Sequence, residues 1–163
     1  MQDGIEANPY IVDELKDGAA VFRPGEGRVL RMGNTSITLK VTSELSNDQL
    51  GVYEIVLEAN TEGAALHFHR FMDETFIVLE GTLTVLHGTE MTQASAGTVI
   101  YVPRFTPHGF GNRSAEVVRL MLIFNPAENR EGFFYGLQRI LTAPVLNKEE
   151  FLKLYHKYDS YPV

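Results

Sequence analysis

Hydrophobic and polar residues alternate with a period of two along much of this chain. Ile37, Leu39 and Val41 alternate with Thr38, Lys40 and Thr42, and Tyr53, Ile55, Leu57 and Ala59 alternate with Glu54, Val56 and Glu58. Side chains of a strand point to opposite faces in turn, so both segments read as half-buried strands. Residues 76–79, 99–102 and 117–124 are apolar at nearly every position and read as strands covered on both faces. In the first of these, Phe76 and Val78 fall in phase with Glu74 and are expected to face inward. Ile77 and Leu79 then face outward and need a cover, either C-terminal helices or a second subunit. Turn signals recur at short intervals, among them Pro24-Gly25, Gly33-Asn34, Glu80-Gly81, Ala96-Gly97 and Gly111-Asn112. No helical period precedes Pro126. Beyond it, residues 129–141 predict a helix with Phe133, Phe134, Leu137 and Ile140 or Leu141 on one side. Asn147 followed by Glu150 resembles a capping box, and Phe151, Leu154, Tyr155 and Tyr158 continue at helical spacing. The pattern is that of an all-β sandwich or barrel followed by short helices.

Composition narrows the partners. A chain of 163 residues with 44% hydrophobic and 21% charged residues can bury its own core. It contains no cysteine, which excludes disulfides and thiolate ligands. The net charge of −7 and absence of a basic cluster speak against nucleic acid or an anionic membrane as partner. The opening Met1 to Glu6 has no basic or apolar signal region, and no apolar run approaches a membrane span, so a cytoplasmic location is expected.

Three of the five histidines and one glutamate carry the chemistry. His67 and His69, one residue apart, point the same way on a strand, and Glu74 opens the next apolar run. His108 follows the strand over 98–102. Imidazoles and a carboxylate on neighbouring strands of one barrel can converge on a borderline divalent cation. His87, beside a turn, and His156, in the last helix, read as solvated surface residues. Arg119, in an apolar strand, is either a paired buried cation or lies at a sheet edge.

At these positions the sequence resembles the cupin superfamily. Its first motif corresponds to His67, His69, Glu74 and Gly81, and its second to Gly97, Pro103, His108 and Asn112. Phe105 stands where the second motif has glycine, and Thr61 where a glycine often precedes the first. Because a bulky aromatic rarely adopts positive φ, the turn after Pro103 is expected to take another form, with the Phe105 ring over the barrel mouth. The resemblance implies a double-stranded β-helix, or jelly-roll barrel. It would be a single domain over 1–163, with the barrel over about 19–125 and a helical extension over about 126–163. It further implies that His67, His69, Glu74 and His108 hold one divalent metal ion. Ligand types alone do not choose among Fe, Ni, Mn, Co, Cu and Zn.

The likeness is to single-domain, quercetinase-like dioxygenases, in which the ligand glutamate also takes the substrate's hydroxyl proton; by match this is Glu74. Tyr53, Phe76, Phe105 and Phe110 are candidates for lining a pocket that suits a small planar hydroxylated or enolic compound, or else are ordinary barrel core. Phe76 and Phe110 lead because each lies two residues past a ligand. A metal-binding isomerase and a non-catalytic small-molecule binder are the alternatives. A homodimer is expected from the outward Ile77 and Leu79.

Overall fold

A computed structural model describes residues 18–163. The strands run in chain order as β1 (Arg28–Met32), β2 (Thr35–Val41), β3 (Gly51–Leu57), β4 (Thr61–Phe68), β5 (Asp73–Glu80) and β6 (Thr82–His87). They continue with β7 (Glu90–Ser95), β8 (Val99–Val102), β9 (His108–Asn112), β10 (Val118–Asn125) and the two-residue β11 (Tyr161–Pro162). Three helices are interspersed: α1 (Ser43–Ser46), α2 (Arg130–Leu141) and α3 (Lys148–Lys157). A six-stranded sheet ordered β1-β2-β3-β10-β5-β8 faces a five-stranded sheet ordered β11-β4-β9-β6-β7. All pairings are antiparallel, as a β-barrel of this kind requires.

The alternation read from the sequence sets the interior. β3 buries Gly51, Tyr53, Ile55 and Leu57, and β5 buries Glu74, Phe76 and Val78. Leu79 stays 41% exposed, and Ile77 lies opposite Val99 on the same outward face. Arg119 lies on β10, between β3 and β5, so it is not at an edge. It is partly exposed and pairs with Glu80 at 3.2 Å and Glu54 at 3.9 Å.

The helices begin where the sequence placed them. Asn147 caps α3 by accepting from the backbone N–H groups of Glu149 and Glu150. α2 packs on β1 and α3. It is pinned to the barrel by Glu131, which accepts from the backbone N–H of Ser43 at 3.0 Å, from the Ser43 hydroxyl, and from the Tyr53 hydroxyl at 2.8 Å. Burial raises the Glu131 carboxyl, but these hydrogen bonds win and hold it below its usual range. The one-turn α1, which supplies Ser43, has too few residues to leave a period in the sequence. No helix among the described residues is long and apolar enough to cross a membrane.

Two expectations about turns are settled here. Phe105 does adopt positive φ, at 64°, so the turn after Pro103 keeps the conformation a glycine would give. Its backbone N–H donates to the His69 carbonyl at 2.7 Å, and the N–H of Thr106 donates to Pro103 at 3.2 Å. These bonds offset the strain of a side chain in the left-handed region. Asn112, one of the turn signals read from the sequence, ties down the end of β9. Its amide donates to the carbonyls of Leu57, Glu58 and Glu116, and its oxygen accepts from Ser114.

Candidate metal centre

His67 on β4 and His108 on β9 are direct cross-strand partners in one sheet, so their side chains share a face. His69 lies just past the end of β4. Glu74 comes from β5 of the opposite sheet, paired with Phe124 and Val102. All four side chains are buried, and one ligand atom from each falls within a cluster no more than 4.8 Å across.

The tautomers follow from the second contacts of the rings. His67 Nδ1 donates to the Ala65 carbonyl at 2.7 Å, His69 Nδ1 to Asp159 at 2.5 Å and His108 Nδ1 to Thr106 at 2.8 Å. Carbonyls only accept, so each Nδ1 carries a proton, and a neutral ring then presents a lone pair at Nε2. Nε2 of His69 and of His108 face Glu74 Oε2 at 3.0 and 2.5 Å. A lone pair cannot lie that close to a carboxylate oxygen unless a cation sits between them, either a proton or a metal ion. The donor set fits a divalent ion, with backbone carbonyls fixing the imidazoles as in metal sites generally.

The electrostatics agree. Burial pulls His67 down to about 3, so the ring is neutral and able to ligate at any ordinary pH. Burial also works against charge on His108, but neighbouring Glu74 overrides it and raises the ring. Glu74 is driven up by burial and down, more strongly in sum, by His108 and His69. It remains ionised well below the usual carboxylate range.

A cavity of about 340 Å³ opens between the two sheets under α2 and α3. Of the four donors, His67 and Glu74 border it. Phe110, Phe124, Phe133, Phe134 and Tyr155 give it an aromatic wall. Only Phe110 among the sequence candidates is on that wall, and the other three are corrected. Tyr53 is fully buried, its hydroxyl held by Glu131 and its ring set edge-on against Phe134 at 4.9 Å. Phe76 is also fully buried, packed edge-on behind Phe110 at 5.3 Å. Phe105 is 63% exposed and stacks outside on Phe68. Period-two alternation identifies the inward face of a strand but does not separate cavity wall from solid packing on that face. Gly63 allows Phe110 its place, since a Cβ there would meet the Phe110 carbonyl and ring.

Two further residues escaped the sequence reading. Arg130, from α2, is buried on the cavity wall. Its sequence signal was a charge three and four residues before Phe133 and Phe134, on the apolar side of the helix. Asp159 accepts at its carboxylate from the backbone N–H groups of Arg70, Phe71 and Met72, which lead from His69 to Glu74. His87 is half-buried rather than solvated. Opposite His108 in register, it bonds to Thr92 Oγ1 at 2.8 Å and stands apart from the donor cluster. His156 stacks on Tyr161.

Comparison with known proteins agrees with this geometry. Residues 53–124 match the Cupin domain family. The chain is 32% identical over 108 residues to an uncharacterised protein of Streptomyces coelicolor, covering 66% of this chain and 97% of that one. It is 31% identical over 101 residues to quercetin 2,3-dioxygenase of Bacillus subtilis, covering 60% of this chain but 29% of that enzyme. Among solved structures, KdgF from Halomonas sp. superposes with a TM-score of 0.58 at 14% identity, covering 70% of this chain and 99% of that one. A predicted oxalate decarboxylase from Thermotoga maritima gives 0.59 at 16%, covering 65% and 98%. The two structures share the fold. With the barrel, the donor cluster and the matched segment in agreement, the chain belongs to the cupin superfamily.

Proposed function

We propose that this protein is a metal-dependent oxygenase of small planar hydroxylated or enolic compounds. The observation that carries the reading is that His67 and Glu74 border an aromatic-walled cavity, while His69 and His108 complete the donor set away from it. Similarity to a quercetin 2,3-dioxygenase supports it. A divalent ion held by His67, His69, Glu74 and His108 would acidify a hydroxyl group bound to it and, where redox-active, couple the substrate to dioxygen.

The residues of the chain do the rest. Phe110, Phe133 and Phe134 offer faces and edges to a flat ring and hold it in one plane. α2 and α3 supply one side of the cavity. Glu74 accepts the hydroxyl proton on its carboxylate. A carboxylate beside a bound cation is a weak base and takes a proton only from an acidified hydroxyl, which favours enols and phenols over alcohols.

Oxygen uptake tests the proposal, with protein loaded in turn with Fe, Ni, Co or Mn and offered flavonols, catechols and diketones. Glu74→Gln should keep a metal ion and lose about 10²- to 10⁴-fold in turnover, the usual worth of a general base. Full activity in Glu74→Gln removes that residue as the base. No uptake with any metal and substrate pairing removes the oxygenase reading and leaves an isomerase or a binder.

A further inference from the structure

Arg130 is the only lysine or arginine among the described residues that border the cavity. It is 4% exposed. Its Nη1 donates to the Tyr158 carbonyl at 2.9 Å and to Ser160 Oγ at 3.0 Å. Its guanidinium carbon lies 3.9 Å from the ring centre of Phe133 and 4.7 Å from that of Phe124. These contacts use Nη1 and the flat faces of the group. The Nε–H is buried and has no acceptor among the described residues. Arg119 Nε also lacks one, but Arg119 lies on the outer face of the barrel with its head group partly in solvent.

A buried donor without an acceptor loses its hydration and gains nothing in exchange. An arginine stays protonated in such a place, and Glu74, the nearby opposite charge, is already shared between His69 and His108. Glu62, the other acid on the lining, is exposed. The buried Asp159 is not on the lining, and its carboxylate already accepts from three backbone N–H groups. With a divalent ion in place, the lining itself sets Arg130 and the ion against Glu74, its one buried acid, so the cavity favours an anion. Anchoring the C-terminal segment would need Nη1 alone. It does not account for a guanidinium on the cavity wall with its Nε–H unmatched.

We propose that Arg130 is the anion-receiving group of this cavity, and that the substrate is a flat apolar molecule bearing a carboxylate that accepts from its Nε–H. This rests on the proposed use of the cavity for a small planar substrate and narrows that class to acids. The hydroxyl end of such a molecule lies toward Glu74 and the carboxylate toward α2.

Zinc-loaded, nitrogen-15-labelled protein tests this without any turnover, so the result stands apart from the oxygenase reading. The arginine Nε–H spectrum is followed while 3-phenylpropanoate or its neutral amide, 3-phenylpropanamide, is added. One resonance, identified by its loss in Arg130→Lys, should move with the carboxylate and stay still with the amide. Calorimetry should show the carboxylate binding about 10- to 100-fold more tightly, the usual worth of a hydrogen bond to a charged group. In Arg130→Met, compared with wild type at equal zinc content and at a temperature where both are folded, that ratio should fall to near unity. If Arg130→Met does not fold, the wild-type Nε–H response decides alone. A carboxylate that binds without moving the Arg130 signal, or a preference that survives in Arg130→Met, places the anion on the zinc and overturns the proposal. Absence of binding by either compound at millimolar concentration overturns it as well.

Discussion

Asp159 ties the C-terminal segment to the metal centre, and replacing it with asparagine should loosen both. Its carboxylate accepts from the backbone N–H groups of Arg70 and Phe71 at 2.8 Å each and of Met72 at 3.3 Å. Its own carbonyl accepts the His69 Nδ1 proton. Asparagine keeps the shape and tolerates the φ of 56° at this position, so neither a cavity nor new backbone strain confuses the result. It removes the charge and replaces one accepting oxygen with an NH₂ group that faces a backbone N–H. A hydrogen bond to a charged group contributes about 1.5–3 kcal/mol and a neutral one about 0.5–1.5. Losing one of the two short bonds and weakening the other gives a cost of about 2–4 kcal/mol. The cost should appear in urea unfolding with the metal chelated. Because the carbonyl that orients His69 moves with this segment, zinc affinity should also fall, by about 10- to 100-fold, as for other groups that orient a metal ligand. Competition against a chelating dye measures it. A stability change below about 0.5 kcal/mol would refute the clamp. A destabilised variant with unchanged zinc affinity would refute its link to His69.

The proton shared by His108 and Glu74 must leave when a cation binds. Zinc affinity should therefore fall by about tenfold per pH unit below the raised pKa of His108, with the fall beginning above pH 6.5; an onset at or below 6.5 contradicts this. In the metal-free protein the same raised pKa stabilises the fold below the unfolded value of 6.5. That contribution disappears as pH rises through the folded pKa, which a urea series across pH reads. Gly63→Ala puts a Cβ 2.5 Å from the Phe110 carbonyl and 2.8 Å from its ring. It should cost about 1–3 kcal/mol through overpacking and impair binding in the cavity while metal content stays the same. We propose a homodimer through the outward face that carries Ile77, Leu79, Val99 and Tyr101, of which Val99 and Tyr101 are each 61% exposed. Light scattering at micromolar concentration should give twice the chain mass, and a monomer mass refutes it.

What the sequence revealed was what is local. Period two placed β2 and β3, an apolar run placed β5, and phase with Glu74 gave its inward Phe76 and Val78. The spacing of His67, His69, Glu74 and His108 named the donors, because each sits at a fixed offset within or beside a strand. Asn147 marked the start of α3 for the same reason. The misses were contacts of long sequence separation. Asp159 reaches residues nearly ninety positions earlier, and Glu131 reaches Ser43 and Tyr53 across a similar span. No periodicity records such pairings. Arg130 was visible only as a charge on the apolar side of a helix, without any sign that a cavity lay beneath it. Phe105 was misjudged because local preference argued against positive φ, while hydrogen bonds at both ends of the turn imposed it.

The central claim is that His67, His69, Glu74 and His108 bind one divalent ion. Anomalous diffraction from crystals of metal-reconstituted protein tests it most directly. The account predicts a single strong peak bonded to Nε2 of each of the three histidines and to a carboxylate oxygen of Glu74, at about 2.0–2.2 Å if the ion is zinc. A map with no peak there, the imidazoles still hydrogen-bonded to Glu74 in the presence of excess metal, would contradict it.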